Sequence, residues 1–325
     1  MSPFPLLHPK APTAGVNRME ASNVVAGIIL LSQTVAGILG NSFLLYHYLT
    51  LYFTGYSLKS TDVILQHLNV ANFLTLLCRG VPQTLAAFGL QDFLGDLGCK
   101  LIFYFHRVGR GMSLCSTCLL SIFQAIGIRA RGHMWAELKT KTQNYTDSFI
   151  YLSWILHLFG NIPILKSLSG NQVTKNMTGL KDYGYCFSAR LDKIAEILIA
   201  AFMSFSDVVC MGIMLWASSS IVLLLYRHKQ RMQHVLRTTV CPRPSPESRA
   251  TKTVLLLVST FVFFYTLSCV FQLWFTLVYS PSLYLQNTAV VFAGCFPTVS
   301  PFLLLSHDSR SYRLCFRWLK DGKSP

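Results

Sequence analysis

The sequence predicts an all-α membrane protein: a bundle of seven transmembrane helices, N-terminus outside the cell, with a short amphipathic helix near its C-terminal end. Three observations carry that reading. Of the 325 residues, 52% are hydrophobic and only 13% are charged, where a soluble domain carries about a quarter charged. The apolar residues gather into seven runs, near 23–49, 61–87, 99–127, 149–168, 194–226, 252–279 and 284–306. Each is close to the roughly 20 helical residues that a hydrocarbon core requires. The sequence lacks the short, evenly spaced alternating segments of a membrane β-barrel.

The runs divide the chain into an extracellular segment 1–22, a transmembrane domain 23–306 and a cytoplasmic tail 307–325. Pro3, Pro5, Pro9 and Pro12 interrupt the first segment, which has no apolar core of signal-peptide type. The first span is therefore expected to act as the signal anchor. The second run is the least apolar, with Gln66, His67, Asn69, Asn72 and Arg79. Such a helix must face other helices rather than lipid.

Basic residues set the orientation. With the N-terminus outside, the cytoplasmic segments hold Arg129, Arg131, Lys139 and Lys141, the dense run Arg227, Lys229, Arg231 and Arg237, and the tail residues Arg310, Arg313, Arg317 and Lys320. The outer segments are poorer, and the positive-inside rule selects this arrangement. The net charge of +15 is thus spread between apolar runs and not gathered into a domain for nucleic acid, which is not expected as a partner. Two further features agree. Cys99 opens the third span and Cys186 lies in the loop before the fifth, so both face the oxidising side, where a bridge would pin that loop over the bundle. Asn176-Met177-Thr178 is a glycosylation acceptor in the same outer loop, whereas Asn144-Tyr145-Thr146 falls on the cytosolic side.

The third span carries His106-Arg107-Val108-Gly109-Arg110. Arginine at the centre of a lipid-facing helix costs about 2.5–3.5 kcal/mol or more, so these side chains must face the bundle or a wet cavity. His106 and Arg110 share a helix face. Asp207 is the acidic residue deep in the fifth span and the natural counter-ion for Arg107 or Arg110. The set reads either as a ligand pocket offering cationic and hydrogen-bonding groups or as an ion pair that fixes helix packing, and the two are compatible. Cys115 and Cys118 have CxxC spacing but lie in lipid, where small apolar helix residues are the expected reading.

The basic extension of the fifth span, with Arg227, Lys229 and Arg231, reads as a lipid-headgroup anchor or as a docking surface for a cytosolic partner, together with Arg129 and Arg131. In the tail, Tyr312, Cys315, Phe316 and Leu319 share one helical face opposite the basic residues. That pattern lies along an inner membrane surface, and Cys315 is a candidate for lipidation. No nucleophile elbow, zinc-protease or phosphate-loop motif appears, and the histidines are scattered. Enzyme activity, cofactors and a metal site are not expected.

Seven helices, an outward N-terminus, a helix-to-loop cysteine pair and an amphipathic tail resemble the G-protein-coupled receptor architecture. Longer strings narrow the resemblance: HLNVANFLTLLCRGVPQTLAAFG (67–89), DLGCKLIFYFHRVGRGMSLCSTCLLSIFQAI (96–126), LWASSSIVLLLYRHKQRMQHV (215–235), SPESRATKTVLLLVSTFVFFYTLS (245–268) and CFPTVSPFLLL (295–305) are similar to vomeronasal type-one receptors. The resemblance implies a plasma-membrane chemosensory receptor for a small-molecule semiochemical, with ligand bound among the outer helix halves and an inhibitory-class heterotrimeric G protein as partner. It also implies the Cys99–Cys186 bridge, glycosylation at Asn176 and a Gly40-Asn41 pair in the first span. Departures from the broader rhodopsin-like pattern stand beside it. The third span ends in Phe123-Gln124-Ala125-Ile126 with no Asp-Arg-Tyr, Asn72 replaces an acidic residue, Ser300-Pro301-Phe302 replaces Asn-Pro-x-x-Tyr, and Ser206 stands where the family has proline. A bitter-taste receptor lacks the HRVGR and SPESRAT strings, and a small transporter would show repeated spans.

Overall fold

The computed structural model describes residues 13–55, 59–90, 93–129, 133–163, 165, 168–169, 181–182, 185–188, 193–235, 246–277 and 283–307. Among the described residues eight helices run in order: α1 (Thr13–Phe53), α2 (Ser60–Thr75), α3 (Val81–Ala87), α4 (Asp96–Arg129), α5 (His133–Gly160), α6 (Lys193–Val235), α7 (Pro246–Leu277) and α8 (Leu283–His307). A π turn, Leu76–Gly80, joins α2 to α3, so the described helices make seven crossings. Five of them are apolar and long enough on their own to span a bilayer: the segments Asn23–Phe53, Asp96–Arg129, Phe205–Arg227, Lys252–Phe271 and Leu285–Ser306. The second crossing falls short because it is polar and broken. The amphipathic tail helix with Cys315, the glycosylation site Asn176 and Arg131 all lie outside the described residues.

The helices outrun the apolar runs at most ends, because hydrophobicity marks what lipid covers and not where a helix stops. The fourth shows this most clearly. An apolar run at 149–168 becomes a helix that starts at His133 and ends at Gly160. Its polar first half is compatible with a helix but not with hydrocarbon. Asn161 and Pro163 then stop it even though Ile162 and Leu165 continue the apolar run. Beyond it, three two-residue strands, β1 (Leu168–Ser169), β2 (Lys181–Asp182) and β3 (Phe187–Ser188), pair antiparallel in the order β1-β3-β2. They shape the outer loop without altering an all-helical domain.

The central core joins Leu68 of α2, Leu114 and Leu120 of α4, Met214 of α6, Phe261 of α7 and Phe296 of α8. Polar residues are threaded through it. As expected for the second run, Asn69 and Asn72 are fully buried. Asn72 donates to Ser300 Oγ at 2.9 Å and accepts from Ser113 Oγ at 2.8 Å, tying α2 to α8 and α4. Gln83 donates to Asn287 at 2.9 Å, a second link between the second and seventh crossings.

The first and seventh crossings meet by a mechanism set by proline. Pro301 inside α8 has no N–H, so the carbonyl of Pro297, four residues earlier, loses its helical partner. Asn41 Nδ2 takes that place at 2.9 Å and also reaches the Gly37 carbonyl at 2.7 Å. Such contact needs close helices. A Cβ on Gly40 would stand 2.9 Å from the Pro301 ring, so only glycine fits there. Asn41→Leu is expected to lower stability by about 1–3 kcal/mol through the orphaned carbonyl, read as a fall in thermal midpoint of the detergent-solubilised protein. Ser32→Ala, at an exposed hydroxyl bonded to its own helix, is the matched control and should leave the midpoint unchanged.

Candidate functional site

The third crossing, α4, forms the axis of the site. Cys99 sits at its outer end, fully buried and bonded to Cys186 of the loop, with the two Cα atoms 5.8 Å apart. The bond holds Tyr185 inward, where its ring lies 6.0 Å from Phe103 and 6.4 Å from Phe93. This aromatic cap covers the outer end of the bundle around Ala86 and Leu94.

Arg110 lies eleven residues further along α4, about 16 Å deeper at 1.5 Å per residue. Its guanidinium stacks on the Tyr265 ring, 4.5 Å from the centroid, and donates to Cys269 Sγ at 3.3 Å. Tyr265 and Cys269 are four apart on α7, one face of one helix. Asp207 on α6 lies within electrostatic reach of Arg110, Tyr265 and Cys269. It does not touch the arginine. Lys100 pairs with Asp96 at 2.6 Å, but among the described residues Arg110 forms no ion pair with Asp207. The reason is steric, because the Tyr265 ring and the Cys269 sulfur occupy the guanidinium's face and edge.

A cavity of about 30 Å³ opens beside Arg110, with His106, Ser113, Tyr265, Phe264 and Ser268 among its walls. That is room for two or three water molecules, at roughly 10–15 Å³ of such volume for each. His106 is buried in its wall, with Arg79, Arg110 and Arg107 all within electrostatic reach. Arg107, half-buried, does not line the cavity. The cavity floor is aromatic: Phe261 stacks on Tyr265 with centroids 5.0 Å apart and meets Phe296 edge-on at 4.6 Å.

The glycines of the third crossing explain how two arginines and a histidine fit. A Cβ on Gly109 would lie 2.9 Å from the Ala71 carbonyl oxygen, and one on Gly111 would collide with the His157 imidazole. Cys115 also meets that imidazole, its sulfur 3.3 Å from Nε2. This thiol therefore has a polar partner, beyond the apolar role expected of it. The residues that sequence reasoning missed are Tyr265, Ser268 and Cys269. Their i, i+3, i+4 spacing puts one aromatic and two polar groups on a single face of α7, a signal present in the sequence.

At the cytoplasmic end the basic residues do not converge among the described side chains. Arg129 lies over the Trp216 ring, 5.6 Å from its centroid, linking α4 to α6. Arg227 is exposed on α6. Lys229 and Arg231 lie further along the same helix.

Seven crossings closed over by a disulfide-tied outer loop define the fold of rhodopsin-like receptors. Squid rhodopsin matches with a TM-score of 0.68 over 98% of this chain and 92% of its own, at 17% identity, which shows the fold alone. The chain belongs to the vomeronasal organ pheromone receptor family, whose model matches residues 24–317. Human vomeronasal type-1 receptor 4 is 51% identical over 92% of this chain and 99% of its own length. Human vomeronasal type-1 receptor 2 is 47% identical, over 88% and 72%. Zebrafish (Danio rerio) olfactory receptor class A-like protein 1 is 30% identical, over 90% and 92%. The protein is thus a multi-pass plasma-membrane receptor of G-protein-coupled type and not an enzyme.

Removing either half of the disulfide frees the Tyr185 cap. Cys99→Ser and Cys186→Ser should each reduce surface expression, and the double variant should lose little more than either one. Flow cytometry of the three variants checks this, and additive losses would speak against a shared bond.

Proposed function

We propose that the protein detects a small semiochemical in the cavity beside Arg110 and relays occupancy to an inhibitory-class heterotrimeric G protein. The observation that carries this reading is Arg110 itself. It is a partly buried cation of the third crossing that faces a cavity, with a ring and a thiol as its contacts and no carboxylate against it among the described residues. A ligand carrying an acidic or hydrogen-bond-accepting group would gain a charge-assisted bond there, worth more than a neutral one. The aromatic floor would take an apolar ligand body.

The cavity's present volume of about 30 Å³ is too small for such a molecule. Binding therefore requires Phe264 or Tyr265 of α7 to swing aside, which makes ligand entry and movement of α7 the same event. His106 lines the wall as a second polar contact. Arg107 and Asp207 act at longer range, by shaping the field around the Arg110 charge. On the inner side, Arg129 and Arg131 after the third crossing and Arg227, Lys229 and Arg231 in the fifth-span extension supply the positive charge offered to the G protein. Their positive charge also anchors the helices to anionic lipid heads.

Ligand-stimulated nucleotide exchange on purified G-protein classes, over a panel of volatiles and steroids, tests the proposal. Exchange on the inhibitory class is the expected outcome. Solute flux in vesicles without exchange would contradict it. For a ligand so identified, Arg110→Met should weaken potency at least about tenfold, the size of a lost hydrogen bond to a charged group. Unchanged potency in normally expressed Arg110→Met would remove the arginine from the site. Asp207→Asn, one step further from the ligand, should have the smaller effect.

A further inference from the structure

The fifth and sixth crossings diverge where they face the bilayer. Between α6 and α7 lies an open groove of about 760 Å³, with Leu215, Ser218 and Val222 on one wall and Lys252, Leu256 and Phe263 on the other. The spacings i, i+3, i+7 on α6 and i, i+4, i+11 on α7 make each wall one continuous helix face. The volume is that of a pocket for a drug-sized or larger molecule. An ordinary lipid-facing surface is convex and needs no particular neighbour. This one is concave, and its apolar side chains are far from covered: Val222 is 53% and Phe263 60% exposed.

Its chemistry is graded along the helix axis. Phe263 stands eleven residues above Lys252, about 16 Å at 1.5 Å per residue, so the wall runs from the cytoplasmic border to near the bilayer centre. At the inner end Lys252 opens the apolar stretch Lys252–Phe271. Its side chain is exposed and forms no ion pair among the described residues. Arg227 closes the apolar stretch of α6 on the same side and is also exposed. Further in, the wall is apolar apart from hydroxyls. Ser259 and Thr266 bond to their own helix backbone, while Ser218 Oγ is buried with no hydrogen-bond partner among the described residues.

We propose that this groove is a binding site for one anionic phospholipid of the cytoplasmic leaflet. An acyl chain lies between α6 and α7, and the headgroup phosphate or carboxylate pairs with Lys252. Charge complementarity selects this occupant. The cytoplasmic leaflet is the anionic one, and each basic residue near it adds about 1 kcal/mol of attraction. A second copy of this chain would bring apolar helix to the upper groove, but its cytoplasmic face is rich in Lys and Arg, Arg129, Arg227 and Lys252 among them, and like charge would oppose it at Lys252. A zwitterionic lipid would also bring a phosphate to Lys252, but its own headgroup cation competes for that phosphate, so an anionic lipid with a net negative headgroup compensates the lysine better. The lipid wedges the two helices at their present separation, so its loss is felt at the inner ends of both.

The test uses the full-length receptor in nanodiscs of phosphatidylcholine with phosphatidylserine as the one-in-ten component. The lipids retained after release into mild detergent are counted by native mass spectrometry. The proposal expects one phosphatidylserine held per receptor, well above its share of the bilayer. Lys252→Gln should lower that retention about fivefold. Ser259→Trp, at an exposed wall position, should fill the groove and remove the bound lipid altogether. Retention in the bulk ratio, or enrichment that survives Lys252→Gln, would overturn the proposal. So would receptor dimers cross-linked through a cysteine placed at Phe263. Because Lys252 is on the surface, its variant tests headgroup selection even if the tryptophan variant fails to fold.

Discussion

Pro301 removes the amide that would have met the Pro297 carbonyl, and in hydrocarbon no water can take its place. The Asn41 amide group does so instead, from another helix. Much of the bundle follows from repetitions of this constraint. A polar atom in the membrane interior must be matched from inside the protein, and each match fixes the distance and rotation of two helices. Gly40 exists in this sense to let Asn41 arrive. The Asn72 side chain repeats the device with a hydroxyl on each side, Ser113 and Ser300, so that the second, third and seventh crossings share one polar junction.

That junction abuts the candidate site. Ser113 lines the cavity beside Arg110 and donates to Asn72 at 2.8 Å. The cavity wall is therefore hydrogen-bonded to the inner bundle through a side chain with no acidic group. With Asn72 in place of a carboxylate, the junction is complete without a cation, its amide meeting a hydroxyl on each neighbouring helix. The arginine above it is handled differently: ring and sulfur shield it, while Asp207 acts only through space. A partly buried charge held by soft partners is less tightly satisfied than one in an ion pair.

The seven crossings and their orientation are readable from apolar runs and basic loops, because lipid and surface charge act on composition alone. The same holds for Cys99 and Cys186, whose placement on one side of the membrane is a matter of topology. Helix ends are less readable, as the fourth crossing shows, because Gly160, Asn161 and Pro163 end a helix that hydrophobicity would continue. The site is partly readable. Arginine in a span has to face inward, and Arg110 does. Its partner cannot be chosen from charge alone: Asp207 is the obvious counter-ion, yet the contacts are Tyr265 and Cys269, which depend on how α7 is rotated against α4. The role of the Gly109 and Gly111 pair likewise depends on which side chains lie opposite, information that is spread over three helices.

Polar matching across helices, as the organiser of the bundle, is tested most directly by a double-mutant cycle through Asn72. Ser113→Ala and Ser300→Ala each remove one of its partners, and unfolding of the wild type, the two single variants and the double variant in lipid nanodiscs gives their interaction. Two partners of one amide are expected to be non-additive by about 0.5–1.5 kcal/mol. Strict additivity, or single variants as stable as the wild type, would mean that the helices are held by apolar packing and that the junction is incidental.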